Sequence, residues 1–201
     1  SILVALLNSL LATVSQTAIA FFGIYFKLQS FIYMPANGLI QGMRPLISYN
    51  YGANKPNRVI ETLKYSIIGG TIIALIGFLA VQLLPDTIIR MFNDEAEVIA
   101  LGTKAIRIWF ICLPVLGIQI MAANYFQCIG KIKIASILNL LRQIIILIPV
   151  MLLLSSLIGL DGIFIAVPIA DFSAFVITVI LFIRSLKKNF MHKKKSVTKS
   201  H

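Results

Sequence analysis

Three ionisable residues stand inside long uncharged runs of this sequence: Lys27, Arg142 and Asp171. A charge held away from water is costly, so each is a functional hypothesis by default. Side-chain amides join them. Gln29, Asn37 and Gln41 fall in one run, Gln119, Asn124 and Gln127 in another, and Gln143 in a third. Asn37 and Gln41 are one helical turn apart, on one face. Such amides either bond across helices or line a wet cavity, and both readings stay open. Other chemistries lack the residues they need. Both histidines, His192 and His201, are in the tail, there is no Gly-rich phosphate loop, and no Ser-x-x-Lys occurs before Ser185 and Ser196 in the basic C-terminal stretch. Cys112 and Cys128 lack metal or redox spacing and read as small buried residues. The sequence points to no enzyme, no metal centre and no cofactor.

The medium that holds these groups follows from composition. Only 12% of the residues are charged, half of the roughly 25% of a soluble domain. With 59% hydrophobic residues and a mean hydropathy of +0.94, the chain reads as a membrane protein. The net charge of +11 is not a nucleic-acid signature, because seven of the eighteen basic residues lie at or after Arg184 and most others sit in short connections. That distribution sets topology, and the expected partner is the lipid bilayer.

The expected fold is an all-α polytopic bundle of six helices, with a lobe over 1–185 and a basic tail over 186–201. Residues 1–13 would span about 20 Å as a helix, short of a hydrocarbon core of about 30 Å, so they read as a truncated first helix. No signal peptide is evident at Ser1. Five spans follow, at about 18–48, 65–85, 108–130, 134–157 and 162–183, each near the roughly 20 apolar residues a crossing needs. Lys55, Arg58 and Lys64 follow the second helix, and Lys131 and Lys133 the fourth. Lys187, Lys188, Lys193, Lys194, Lys195 and Lys199 follow the sixth. These alternate connections should face the cytoplasm, with the C-terminus. Asp94 with Glu97 resembles a capping box that opens an interfacial helix. Gly70 and Ala74 form a small-xxx-small pair for close packing. Pro35, Pro114, Pro149 and Pro168 suggest helices built to bend.

Depth then ranks the charges. Lys27 and Asp171 both come about 13 Å below the outer face, and Arg142 about 12 Å in from the cytoplasmic face. Lys27 and Asp171 are therefore expected to meet, and Arg142 to snorkel. The pair is either a structural ion pair or a carboxylate that trades partners with a proton, Na⁺ or a cationic substrate.

One stretch concentrates the punctuation. From Met34 to Arg58 the chain reads MPANGLIQGMRPLISYNYGANKPNR. A helix in lipid that holds Pro and Gly must re-satisfy its freed backbone groups against neighbours or a wet cavity. This stretch reads as a bent cavity-lining helix through Gln41. It continues as a hinge and latch built on Gly42, Arg44, Pro45, Tyr49, Asn50 and Gly52.

The same stretch resembles the eighth helix and following loop of MATE multidrug exporters. In them a proline-containing helix runs into a Gly-x-x-Pro segment, a Tyr-Asn-Tyr-Gly-Ala turn and a basic loop. FNDEAEVIALGTKAIRI (92–108), YFQCIGKIK (125–133), LLRQIIILIP (140–149) and LDGIFIAVPIADFSAF (160–175) continue the likeness in register. The resemblance, closest to the bacterial Na⁺-driven or H⁺-driven branch, implies two six-helix lobes, of which this chain would be the C-terminal one. It implies a partner N-terminal lobe, cationic amphipathic substrates, a bacterial inner membrane and Na⁺ or H⁺ as coupling ion. The sequence departs from branches that carry an acid in helix ten, where Gln119 is the nearest polar residue. A lipid-linked oligosaccharide or polysaccharide flippase of the same superfamily is the alternative. A non-transporting membrane scaffold is a further one.

Overall fold

A computed structural model of the chain describes residues 16–191, and every regular element among them is helical. α1 is Gln16–Gly52, α2 Pro56–Leu83, α3 Pro85–Arg90, α4 Ala96–Trp109 and α5 Leu113–Cys128. α6 is Ile132–Leu140, followed without a break by a π-helical segment, Leu141–Leu147, and by α7, Ile148–Ile158. α8 is Leu160–Leu186 and ends in a short π-helical turn, Lys187–Met191. The stub expected over residues 1–13 and the tail beyond residue 191 lie outside the described residues.

α1 has 37 residues, about 55 Å at helical rise, longer than a hydrocarbon core. It passes through Pro35 and Pro45 without ending. Each proline leaves the carbonyl one turn earlier, of Phe31 and of Gln41, without its helical donor. The reversal expected over Tyr49 to Ala53 comes later. Asn54 takes the left-handed conformation at φ 54°, and the amides of Asn54 and Lys55 donate to the carbonyls of Tyr51 and Asn50. That pattern closes the helix carbonyls from beyond Gly52, so Tyr49–Gly52 stay helical. α5 ends the same way at Gly130, where φ is 77°.

α2 shows how the helices sort their faces. Ser66, Gly70 and Ala74 are buried, whereas Ile68, Ile72, Ile76 and Leu79 point outward. Small residues inward and large apolar ones outward is the pattern of a helix packed in lipid. The small side meets α5 at Gly117, where an added Cβ would lie 2.7 Å from the carbonyl oxygen of Gly70.

The helix expected to open near Asp94 is α4, and the span expected over 108–130 is α5, which starts at Leu113; the two are bent by 51°. Pro114 has no amide to give to the Phe110 carbonyl, and the Leu113 amide takes that acceptor at 3.0 Å, so the helix restarts. The capping box at Asp94 does not form. Glu95 is the N-cap, with no side-chain cap bond, and the Asn93 side chain accepts the Glu95 amide at 2.7 Å.

Pro56–Leu83, Ile132–Ile158 and Asp161–Asn189 are long and apolar enough to cross a membrane, and the bent α4–α5 pair is a fourth if taken as one span. α1 has the length, but its polar residues dilute its hydropathy.

The core falls into two apolar clusters. One gathers Phe22, Tyr25, Trp109, Phe110, Met151 and Phe164, and the other Met43, Ile47, Leu63, Met121, Tyr125 and Phe182. Between them in sequence along each helix come Pro35 and Asn37, Gly70, Gly117 and Gln119, Arg142, and Asp171. The bundle thus has a polar, glycine-containing waist between two apolar halves. Its ends differ in charge. At one end Asp86 meets Thr103 and Asp161 meets Lys104. At the other, Lys55 and Lys188 line one cavity and Ser48 reaches the carbonyl of Cys128, three residues from Lys131.

The backbone contact at Gly117 sets a stability test. Gly117→Ala is expected to lose about 1–3 kcal/mol by overpacking. Gly38→Ala, whose Cβ meets nothing within 4 Å, should be neutral or slightly stabilising. Thermal unfolding in detergent micelles reads both, and equal midpoints would refute the close approach.

Candidate functional site

The waist is built around one ion pair. Arg142 donates from Nε to Asp171 Oδ1 at 2.6 Å, with side-chain exposures of 20% and 4%. α8 positions the carboxylate, its outer face carrying Ile169, Phe172 and Val176. Arg142 is the second residue of the π-helical segment. A π-helical turn holds an extra residue and so re-aims the side chains on it, and such turns recur at functional sites. The phenols of Tyr25 and Tyr33 on α1 and the thiol of Cys112 before α5 lie within electrostatic range of the pair.

This corrects the pairing expected from depth. Lys27 does not meet Asp171. It is exposed, with Nζ 5.8 Å from the centroid of the Phe92 ring, a cation–π distance. Arg142 does not snorkel, because a carboxylate is within reach inside the bundle.

α1 supplies a second set of groups. Ser30, Asn37, Gln41, Arg44 and Ser48 recur every three, four or seven residues and so share one stripe. All five are exposed in this chain. Arg44 ties the stripe to α5. Its Nε and Nη2 donate to Asn124 Oδ1 at 3.1 and 2.7 Å, and Nη2 also donates to Gln127 Oε1 at 3.0 Å. Asn124 completes the link through its amide, which donates to the Ile120 carbonyl at 2.9 Å. Ser48 donates to the Cys128 carbonyl one turn further.

The remaining residues singled out from sequence divide by burial. Gln143 is exposed beside Arg142, and Gln119 is buried, its Oε1 without a hydrogen-bond partner among the described residues. Gln29 donates to the Tyr25 hydroxyl at 3.0 Å. Gly42 and Pro45 sit inside unbroken helix, and Gly42 lines a groove of about 670 Å³ between α1 and α2 with Gly38, Leu46 and Tyr65. Tyr49 is exposed, the Asn50 amide donates to the Leu46 carbonyl, and Gly52 is the last residue of α1. Sequence reasoning missed the Arg142–Asp171 contact and the Asn124–Arg44 contact. In each, the partners lie on different helices.

Two ion- and amide-bearing surfaces on a lipid-packed bundle narrow the choice of family, and residues 1–153 match the MatE family model. The chain belongs to the MatE family. Multidrug export protein MepA of Staphylococcus haemolyticus (strain JCSC1435) is 31% identical over 164 residues, which are 82% of this chain and 36% of that protein. MepA of Staphylococcus aureus (strain MSSA476) is 30% identical over 165 residues, again 82% of this chain and 36% of the relative. Among solved structures, the MATE multidrug transporter DinF-BH superposes with a TM-score of 0.82 at 37% identity, over 93% of this chain and 42% of that one. An outward-facing multidrug resistance MATE family transporter of the MOP superfamily gives 0.86 at 18% identity, over 94% and 43%, which speaks for the fold alone. The chain therefore spans about two fifths of the length of these MatE relatives. Proteins of the MatE family are multi-pass membrane transporters, not enzymes.

The ion pair at the waist carries a stability prediction. Asp171→Ala leaves a buried guanidinium unpaired and is expected to cost about 3–5 kcal/mol. The double change Arg142→Met with Asp171→Leu should recover most of that loss. A double-mutant cycle on thermal midpoints checks it, and additive losses would show that the two side chains do not interact.

Proposed function

We propose that this chain is the C-terminal lobe of a secondary multidrug exporter. Organic cations leave through a cavity shared with a second lobe, in exchange for Na⁺ or H⁺, by alternating access. The observation that carries the reading is the exposed polar stripe of α1. Five polar side chains, Ser30 to Ser48, lie on one line of a helix whose length suits lipid. Ser30, Arg44 and Ser48 have hydrogen-bond partners, whereas Asn37 and Gln41 would be costly facing hydrocarbon and are solvated facing a water-filled cavity between two lobes. Transporters of two related lobes place substrate and ion sites near mid-membrane at the lobe interface. The waist of this bundle, with Asn37, Gln119, Arg142 and Asp171, occupies that level.

In this reading Asp171 is the coupling carboxylate and Arg142 holds its resting state. A proton or Na⁺ arriving at Asp171 competes with the guanidinium. Its occupancy then biases the inward- and outward-open states by its differential affinity for them. Asn37, Gln41 and Gln143 offer hydrogen bonds to substrate, and the likeness to relatives named as multidrug exporters supports a cationic, amphipathic cargo. Arg44, with Asn124 and Gln127, secures the basic end. That end is assigned to the cytoplasmic side of a bacterial inner membrane by the positive-inside rule.

The test uses the full-length protein that carries this chain, in everted vesicles, with a fluorescent cationic dye. Asp171→Asn is expected to lower gradient-driven dye uptake by at least about tenfold, and Lys27→Gln to leave it within about twofold. Collapsing the Na⁺ and the proton gradients separately identifies the coupling ion. Full coupling in Asp171→Asn would remove Asp171 from the mechanism. Transport of a lipid-linked oligosaccharide without dye uptake would replace the exporter by a flippase.

A further inference from the structure

A cavity of about 340 Å³ opens at the basic end, away from the waist. Two distant segments wall it: Asn50 to Pro56 at the α1–α2 reversal, and Lys188 and Asn189 after α8. Its volume is that of a small-ligand site. Two lysines, Lys55 and Lys188, are among the residues that line it, and no acidic residue is. Neither lysine is in an ion pair among the described residues. The nearest acid in sequence, Glu61, is engaged by Arg58 at 3.2 Å. Two like charges on the rim of one concave site repel each other in proportion to their closeness, and a counter-charge between them relieves this.

The start of α2 adds to this field, against the carbonyl ends of α1 and α8 that wall the same cavity. Lys55 is the N-cap of α2, with Pro56 at the first helical position and no side-chain cap bond. The helix therefore presents the positive end of its dipole towards the same lysine. Asn189 is not available as a donor, since its amide serves the Tyr125 hydroxyl and Ser185 Oγ at 3.3 and 3.2 Å. Those bonds fix the wall that carries Lys188. The other end of the bundle is different, its cavity lined by Asp86 and Asp94 beside Arg90.

We propose that the cavity between the α1–α2 reversal and the end of α8 binds a phosphate group. The group comes either from the headgroup of an anionic phospholipid or from a soluble phosphate. Bound there, it bridges the two segments and ties the end of α8 to the reversal.

The experiment measures thermal unfolding of the full chain in detergent micelles while dioleoylphosphatidylglycerol, dioleoylphosphatidylcholine or inorganic phosphate is titrated. A ligand of the folded state raises the midpoint. The structure predicts a rise with phosphatidylglycerol or with phosphate and none with phosphatidylcholine. A rise with phosphatidylglycerol that millimolar phosphate does not reproduce identifies a lipid headgroup. A rise with phosphate alone, or competition by it, identifies the soluble source. The double variant Lys55→Gln with Lys188→Gln should need about tenfold more ligand than Lys64→Gln with Lys133→Gln, which removes equal charge nearby. No rise with either anion, or equal weakening in the two double variants, would overturn the site.

Discussion

The cost of a charge at membrane depth organises this chain. Asp171 is almost wholly covered, and Arg142 is the cation that reaches it, at 2.6 Å. An uncompensated carboxylate or guanidinium at that level would be strongly destabilising. The two helices that carry the pair must therefore stay in register. The π-helical segment at Leu141–Leu147 provides the extra residue by which the chain between Ile132 and Ile158 brings Arg142 round. The apolar clusters above and below then pack against a level fixed by electrostatics.

The same economy governs the uncharged polar groups. Arg44, Asn124 and Gln127 satisfy one another between α1 and α5, and Ser48 uses the carbonyl of Cys128. What is left over on α1, chiefly Asn37 and Gln41, is exposed. In the proposed function, Asn37 and Gln41 are the groups of this stripe left open to a second lobe and a cargo. Close backbone packing at Gly70 and Gly117 holds α2 and α5 together beside this stripe.

Much of this was legible in the sequence. Hydropathy marked the apolar helices, Gly70 and Ala74 marked the α2 face that packs, and the motifs from Met34 to Arg58 carried the family resemblance. Pairings between distant helices were less legible. Depth alone put Lys27 and Asp171 at one level, but a shared level does not give a shared face, and Lys27 points out towards Phe92. The same arithmetic held a better clue. Arg142 and Asp171, measured from opposite faces, leave only about 5 Å between them in a core of about 30 Å. An arginine side chain covers that gap. Pro114 marked the bend before Leu113, but its place was not legible, because Phe110 to Cys112 are as apolar as the helices they join. The turn expected over Tyr49 to Ala53 comes later because the helix continues to Gly52 and Asn54 takes the left-handed conformation.

Whether the α1 stripe faces water decides between a cavity wall and a lipid-facing helix. The direct measurement is cysteine labelling of the full-length protein in membranes, after its native cysteines, Cys112 and Cys128 among them, are replaced by serine. Single cysteines at Asn37 and Gln41 would be compared with single cysteines at Ile72 and Ile76, using a membrane-impermeant charged thiol reagent. The account predicts rapid labelling at 37 and 41, slowed by a cationic dye, and no labelling at 72 and 76. Positions 37 and 41 as unreactive as 72 and 76, with and without dye and in both right-side-out and everted vesicles, would contradict it.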